Sequence, residues 1–154
     1  RKAQLNRNLM LFFTGFSRFS SDIQKTTQKD MADKERQLLE MLSLVDEAEK
    51  VLTTKTDLNE FGRLLDYTWK LKRGISSGIS TDSIDGLYAK GIEAGALGGK
   101  LLGAGGGGFL LFYVEEDKRE AVAKAMEDLL YVPFQFENSG TRVIHYTAEM
   151  YEKR

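Results

Sequence analysis

The six residues Gly103-Ala104-Gly105-Gly106-Gly107-Gly108 contain five glycines. Such a run is unfavourable, because glycine loses more conformational freedom on folding than any other residue. What offsets it is close approach: bare backbone lets a phosphate or another segment come near, and consecutive N–H groups cradle an anion. A flexible hairpin loop is the plainer reading for a lone glycine pair, whereas five glycines in six residues favour a functional one.

Context excludes two familiar phosphate motifs. Gly103, Gly105 and Gly108 match G-x-G-x-x-G, but the dinucleotide fingerprint opens a helix, and Phe109 to Tyr113 reads as strand. A P-loop ends in Gly-Lys-Ser or Gly-Lys-Thr. Here Gly99-Lys100 is followed by Leu101, and Ala94 stands where that loop's first glycine belongs.

Other side chains able to meet an anion lie at predicted element ends. Ser17 and Arg18 come after the apolar run 9–13 and Gly15, where a guanidinium suits either phosphate oxygens or a surface ion pair. Lys72, Arg73, Ser76 and Ser77 end a helix and enter a loop. They fit a phosphate or sugar hydroxyls, and equally ordinary charge complementation of a helix C-terminus. Lys100, between a glycine pair and an apolar run, either meets a phosphate or points to solvent from an edge strand. Trp69 shares helical spacing with Leu58, Phe61 and Leu65 and reads as core. His145 is the only histidine, which leaves no histidine cluster for zinc, and it reads as structural.

The elements that would position these residues are set by periodicity. Asn8 to Gly15 reads as a buried strand and Ser20-Ser21-Asp22 as a helix start. Leu38, Met41, Leu42, Val45, Ala48 and Leu52 recur at threes and fours, which predicts a long amphipathic helix. Asp57 and Glu60 have capping-box spacing before a helix over 58–73, the segment 74–80 is a loop, and Thr81 or Asp82 caps a helix to about Gly95. Gly98 to Leu102 and Phe109 to Val114 are strands around the glycine loop. Glu116 to Leu130 carries a helical face, and Pro133 ends it. Phe134 to Phe136 and Thr141 to Tyr146 flank the turn-forming Glu137-Asn138-Ser139-Gly140, which predicts a hairpin. The pattern predicts an α+β domain, with a mainly antiparallel sheet of about four strands and helices packed on one face.

Composition narrows the class. With 154 residues, 42% apolar, 29% charged and a net charge of -1, the chain has the make-up of one soluble domain rather than a polyanion binder or a disordered segment. No run of about 18 apolar residues is present to span a bilayer, and the first residues lack a signal-peptide pattern. Nucleic acid and membrane partners are therefore not expected. The absence of cysteine removes disulfides and thiolate metal sites, and fits a cytoplasmic location.

The run from Gly98 to Gly108, Gly-Gly-Lys-Leu-Leu-Gly-Ala-Gly-Gly-Gly-Gly followed by a strand, resembles the third conserved motif of the GHMP kinases. Thr14-Gly15-Phe16-Ser17-Arg18, Trp69-Lys70-Leu71-Lys72-Arg73 and Gly95 to Leu101 look most like the heptose 7-phosphate kinase and fucokinase branch of that superfamily. The resemblance implies a ferredoxin-like C-terminal domain spanning 1–154, and an N-terminal domain of the same polypeptide that binds most of the ATP and Mg2+. It also implies the reaction, transfer of the ATP γ-phosphoryl group to a sugar hydroxyl, most similar to that on the anomeric carbon of D-glycero-D-manno-heptose 7-phosphate. Residues 103–108 would touch substrate or the phosphate loop, and Ser17, Arg18, Lys72, Arg73, Ser76, Ser77 and Lys100 are candidates for the sugar phosphate. No catalytic residue and no metal ligand is expected in this chain, which alone should be inactive. Leu102 departs from the threonine that several members carry, so a hydroxyl role there is not carried over. The competing expectation is a non-catalytic ferredoxin-like module that binds a ligand or regulates.

Overall fold

The structure is a computed structural model, and it describes residues 1–15, 34–76, 78–103, 106–143, 145 and 146. In chain order the elements are α1 (Lys2–Asn8), β1 (Leu9–Phe13), α2 (Glu35–Thr53), α3 (Asn59–Arg73), α4 (Asp82–Glu93), β2 (Gly98–Leu102) and β3 (Phe109–Tyr113). A 3-10 turn (Glu116–Lys118), α5 (Arg119–Ala125) and β4 (Leu130–Tyr131) complete them. The four strands form one sheet in the order β2-β3-β1-β4, with each neighbouring pair antiparallel.

The α+β expectation holds, and so does the hairpin β2-loop-β3. Strand alternation sorts the apolar side chains to the two sides of the sheet. Met10, Phe12, Leu101, Leu110, Phe112 and Val114 join Trp69, Ile84, Tyr88, Val122 and Met126 in the larger core. Leu9 and Tyr113 join Val51 and Leu58 in a smaller one. Thr81 caps α4 as predicted, its side-chain oxygen accepting from the Ile84 N–H at 3.3 Å.

Several boundaries differ from those the sequence predicts. The fourth strand is Leu130–Tyr131, not either late run, and residues 134–143 contain no strand. The predicted helix over 116–130 ends at Ala125, because the chain turns at Met126 and the Leu129 N–H bonds the Met126 carbonyl at 2.9 Å. The open edge of β1 then captures the next residues: Leu130 pairs with Phe13, Tyr131 with Phe12, and the Val132 N–H reaches Leu11 O at 2.8 Å. Those backbone groups need partners, and that need overrides local helix propensity. Where the sequence predicts a tight turn the chain bends at Asn138 and Ser139, whose N–H groups donate to the Glu137 carboxylate, but no hairpin follows.

The stripe on α2 is borne out in part, since Leu38, Met41 and Leu52 pack against the two cores. Leu44 and Val51 are its buried residues, whereas Leu39, Leu42 and Val45 are exposed. Asp57 caps the start of α3 by accepting from the Asn59 N–H, while Glu60 pairs with Arg63 instead of closing a capping box. The predicted helix start at Ser20-Ser21-Asp22 lies outside the described residues.

Candidate functional site: the glycine hairpin and its braces

The hairpin loop leaves β2 at Leu102 and enters β3 at Phe109, and Gly103, Gly106, Gly107 and Gly108 are described within it. Gly106 has φ +66° and Gly108 φ +116°, in the region where a side chain is strained. A Cβ on Gly108 would also fall 2.5 Å from the Leu102 carbonyl, so glycine is what lets the hairpin close. Ala104 and Gly105 lie outside the described residues.

Two braces hold the loop. At its exit the Thr14 hydroxyl donates to Gly108 O at 2.9 Å and lies 3.2 Å from the Gly108 N–H, while the Thr14 N–H bonds the same carbonyl at 2.9 Å. In its middle the Gly106 N–H donates to Ile79 O at 3.1 Å, tying the loop to the segment after α3. Two described N–H groups are thus committed internally, and Gly106 and Gly107 are buried. Of the loop's described glycines, Gly103 is the exposed one. Thr14 acts here as a positioning residue. In the sequence it reads only as the end of a strand, because its partner lies in a distant segment.

Gly98 and Gly99 have a different task. A Cβ on Gly98 would lie 1.9 Å from the Gly62 carbonyl, and one on Gly99 would lie 2.4 Å from Leu111 O. Gly62 and Gly91 do the same from the helices, since a Cβ would meet the rings of Tyr113 at 2.7 Å and Phe112 at 2.5 Å. Gly98 and Gly62 thus let α3 press onto the sheet and Gly91 does the same for α4, while Gly99 lets β2 lie close against β3, and together they support the strands that carry the glycine loop.

The basic candidates separate. Arg73 is engaged with Asp85 at 2.7 Å, and its guanidinium lies 5.9 Å from the ring centroids of both Trp69 and Tyr88. Asp85 also accepts from the Ser80 hydroxyl at 2.7 Å. Lys72 is half-buried, and burial, together with the charge of Lys100, lowers its ammonium pKa. Among the described residues neither Lys72 nor Lys100 forms an ion pair. Ser76 is buried, and its hydroxyl has no hydrogen-bond partner among the described residues. Ser17, Arg18 and Ser77 lie outside the described residues. Trp69 is core at 1% exposure, as its spacing predicts, and His145 is on the surface. Tyr88, also core, donates to Asp66 at 2.9 Å and lies 3.4 Å from Gly99 O. Burial first, and then Asp66, pushes its phenol well above the ordinary value.

Among the described residues no three His, Cys, Asp or Glu side chains group as a metal site requires. No helix among them is long and apolar enough to cross a membrane.

Comparison with known families settles what the hairpin belongs to. The model of the GHMP kinases C terminal family matches residues 44–132, more than half of the chain and the whole glycine hairpin. The chain belongs to the GHMP kinase C-terminal family. It is 30% identical over 144 residues to the D-glycero-alpha-D-manno-heptose 7-phosphate kinase of Campylobacter jejuni, which covers 91% of this chain and 42% of that protein. It is 40% identical over 63 residues to the L-fucokinase/L-fucose-1-P guanylyltransferase of Bacteroides fragilis, covering 41% of this chain and 6% of that protein. The crystal structure of the Methanococcus jannaschii mevalonate kinase superposes with a TM-score of 0.70 at 25% identity, covering 84% of this chain and 39% of that one. The GHMP kinase chain thus spans less than half the length of these relatives.

Proposed function

We propose that this chain is the C-terminal half of an ATP-dependent sugar kinase that phosphorylates the anomeric hydroxyl of D-glycero-D-manno-heptose 7-phosphate. The observation that carries this reading is the braced glycine hairpin within a GHMP kinase C-terminal domain, held at Gly108 by Thr14 and at Gly106 by Ile79. The similarity to a heptose 7-phosphate kinase along 91% of the chain supports the choice of sugar.

In this reading ATP supplies the phosphoryl group: the sugar oxygen bonds to the γ-phosphorus, the bond to the β,γ-bridging oxygen breaks, and ADP leaves. Such transfer depends on positioning and charge stabilisation more than on covalent chemistry. The chain's share is positioning. Residues 103–108 back the phosphate-binding loop and border the sugar, while Lys72, Ser76 and Lys100, with Ser17, Arg18 and Ser77, are the candidates for binding the sugar phosphate. Arg73, engaged by Asp85, orders the end of α3. ATP, Mg2+ and the group that takes the hydroxyl proton belong to an N-terminal domain of the same polypeptide, in the cytoplasm.

The test is ADP release by the full-length protein with ATP and D-glycero-D-manno-heptose 7-phosphate, L-fucose or mevalonate. Turnover confined to the heptose 7-phosphate is expected, together with none from residues 1–154 alone. Preference for mevalonate or fucose overturns the choice of sugar. Turnover by the isolated chain overturns the division of labour.

A further inference from the structure

Lys72 on α3 and Lys100 on β2 belong to elements packed against each other, and among the described residues no carboxylate pairs with either. Lys100 stands on the edge strand β2, two positions past Gly98. It therefore projects to the side on which Gly98 abuts Gly62 and Asp66 of α3. Lys72 occupies the last turn of that same helix, half removed from water, and burial first, then the Lys100 charge, lowers its ammonium pKa. The carboxylates in this neighbourhood serve other groups: Asp66 takes Lys70 and Tyr88, and Asp85 takes Arg73 and Ser80. Burying like charges together is unfavourable unless an anion joins them.

The segment after α3 supplies a further unmet group. Ser76, four residues beyond Lys72, is 5% exposed, and its hydroxyl has no partner among the described residues. Buried polar groups without partners are rare in folded proteins, and each calls for an explanation. The same segment is bonded to the glycine loop through Ile79 and Gly106, so the lysines and the loop border one region.

We infer that Lys72 and Lys100, together with Ser76 from the segment that follows α3, form a subsite for a phosphate monoester, which receives the phosphate that the sugar substrate already carries. The charges match: two ammonium groups face a group of about -1.5 to -2 with three acceptor oxygens. A carboxylate would be better met by a guanidinium fork, and the nearby Arg73 is already engaged. The subsite rests on the sugar-phosphate reading of the substrate.

The test uses the full-length protein with Lys72→Gln, Lys100→Gln and the double variant, each checked for native circular dichroism, and the Lys→Arg pair as rescue. The KM for heptose 7-phosphate should rise roughly tenfold to a hundredfold in the double variant, as expected for lost charge-assisted hydrogen bonds, and the arginine variants should recover most of it. The KM for ATP should stay within about twofold. Calorimetric titration with inorganic phosphate is the second arm, expected to give binding in the parent protein and none in the folded double variant. If the protein turns over only mevalonate or a neutral sugar, the sugar-phosphate reading fails, while the phosphate titration still decides the lysine pair. Equal phosphate binding in parent and double variant, or a rise in the ATP KM in place of the sugar KM, overturns the subsite.

Discussion

The two ends of the run from Gly98 to Gly108 use the same residue for opposite reasons. At Gly98 and Gly99 the space for a side chain is already filled by this domain's own backbone, at 1.9 Å and 2.4 Å. At Gly103, by contrast, the nearest atom to an added Cβ is Gly107 O at 3.6 Å, an ordinary contact, yet φ is +120°. The first pair is glycine because of what the fold contains. The loop glycines are set by the backbone path, with positive φ at Gly103, Gly106 and Gly108, and at Gly108 also by the Leu102 carbonyl, 2.5 Å from where a Cβ would stand. A motif of uniform composition thus divides into a packing half and a loop half, which substitutions should separate.

Gly98→Ala should have the largest effect on stability. The added carbon cannot coexist with Gly62 O, so α3 must lift from β2, with a loss of about 3 kcal/mol or more by denaturant unfolding. An unfolding midpoint unchanged from the parent would contradict the packing role. Gly106→Val, in the full-length enzyme, should show the reverse balance, with turnover falling on the order of a hundredfold while stability drops by about 1–3 kcal/mol from backbone strain. Melting and turnover measured on the same sample decide it, and a folded variant with full activity would reduce the loop to a turn.

Thr14→Val tests the brace rather than the loop. It leaves Gly108 N–H and O without the hydroxyl partner and should cost about 1–2 kcal/mol, with a smaller loss of turnover than Gly106→Val. Tyr88→Phe, beside the packing half, should cost about 1 kcal/mol at neutral pH, because Asp66 keeps Lys70. Its effect on pH dependence is sharper. The folded phenol titrates above the ordinary value of 10.0, so the stability it confers is complete below that pH and is lost as pH rises beyond it. The melting temperatures of the parent and of the Tyr88→Phe variant should therefore converge above about pH 10. Parallel curves there would argue against a buried, hydrogen-bonded Tyr88.

The glycine motif was legible because steric demands of this kind are written directly in residue type, and Thr81 at the start of α4 was legible because a cap acts within three residues. What escaped depended on distant partners. Periodicity on α2 placed Leu38, Met41 and Leu52 inward but could not choose between neighbouring leucine and valine positions, and it is Leu44 and Val51, not Leu42 and Val45, that are buried. Leu130 and Tyr131 look like the end of a helix until the free edge of β1 is available to pair with them. Lys72, Arg73 and Lys100 were indistinguishable as cations. Only the placement of Asp85 and Asp66 shows that, among the described residues, Arg73 is engaged and the two lysines are not.

The strand order also dictates a sequence of events when the chain is made. β1 leaves the ribosome before both of its sheet neighbours, β3 and β4, which come from the far end of the described sheet. Pairings such as Phe13 with Phe109 and Phe12 with Tyr131 close very long loops, which slows folding relative to local contacts. Until Phe109 to Tyr131 has left the ribosome, Leu9 to Phe13 is an apolar strand with two bare edges, the kind of segment that associates with other chains. The seven-residue helix just before it and the short, exposed β4 that finally covers its outer edge then bear on solubility during synthesis as much as on the finished fold.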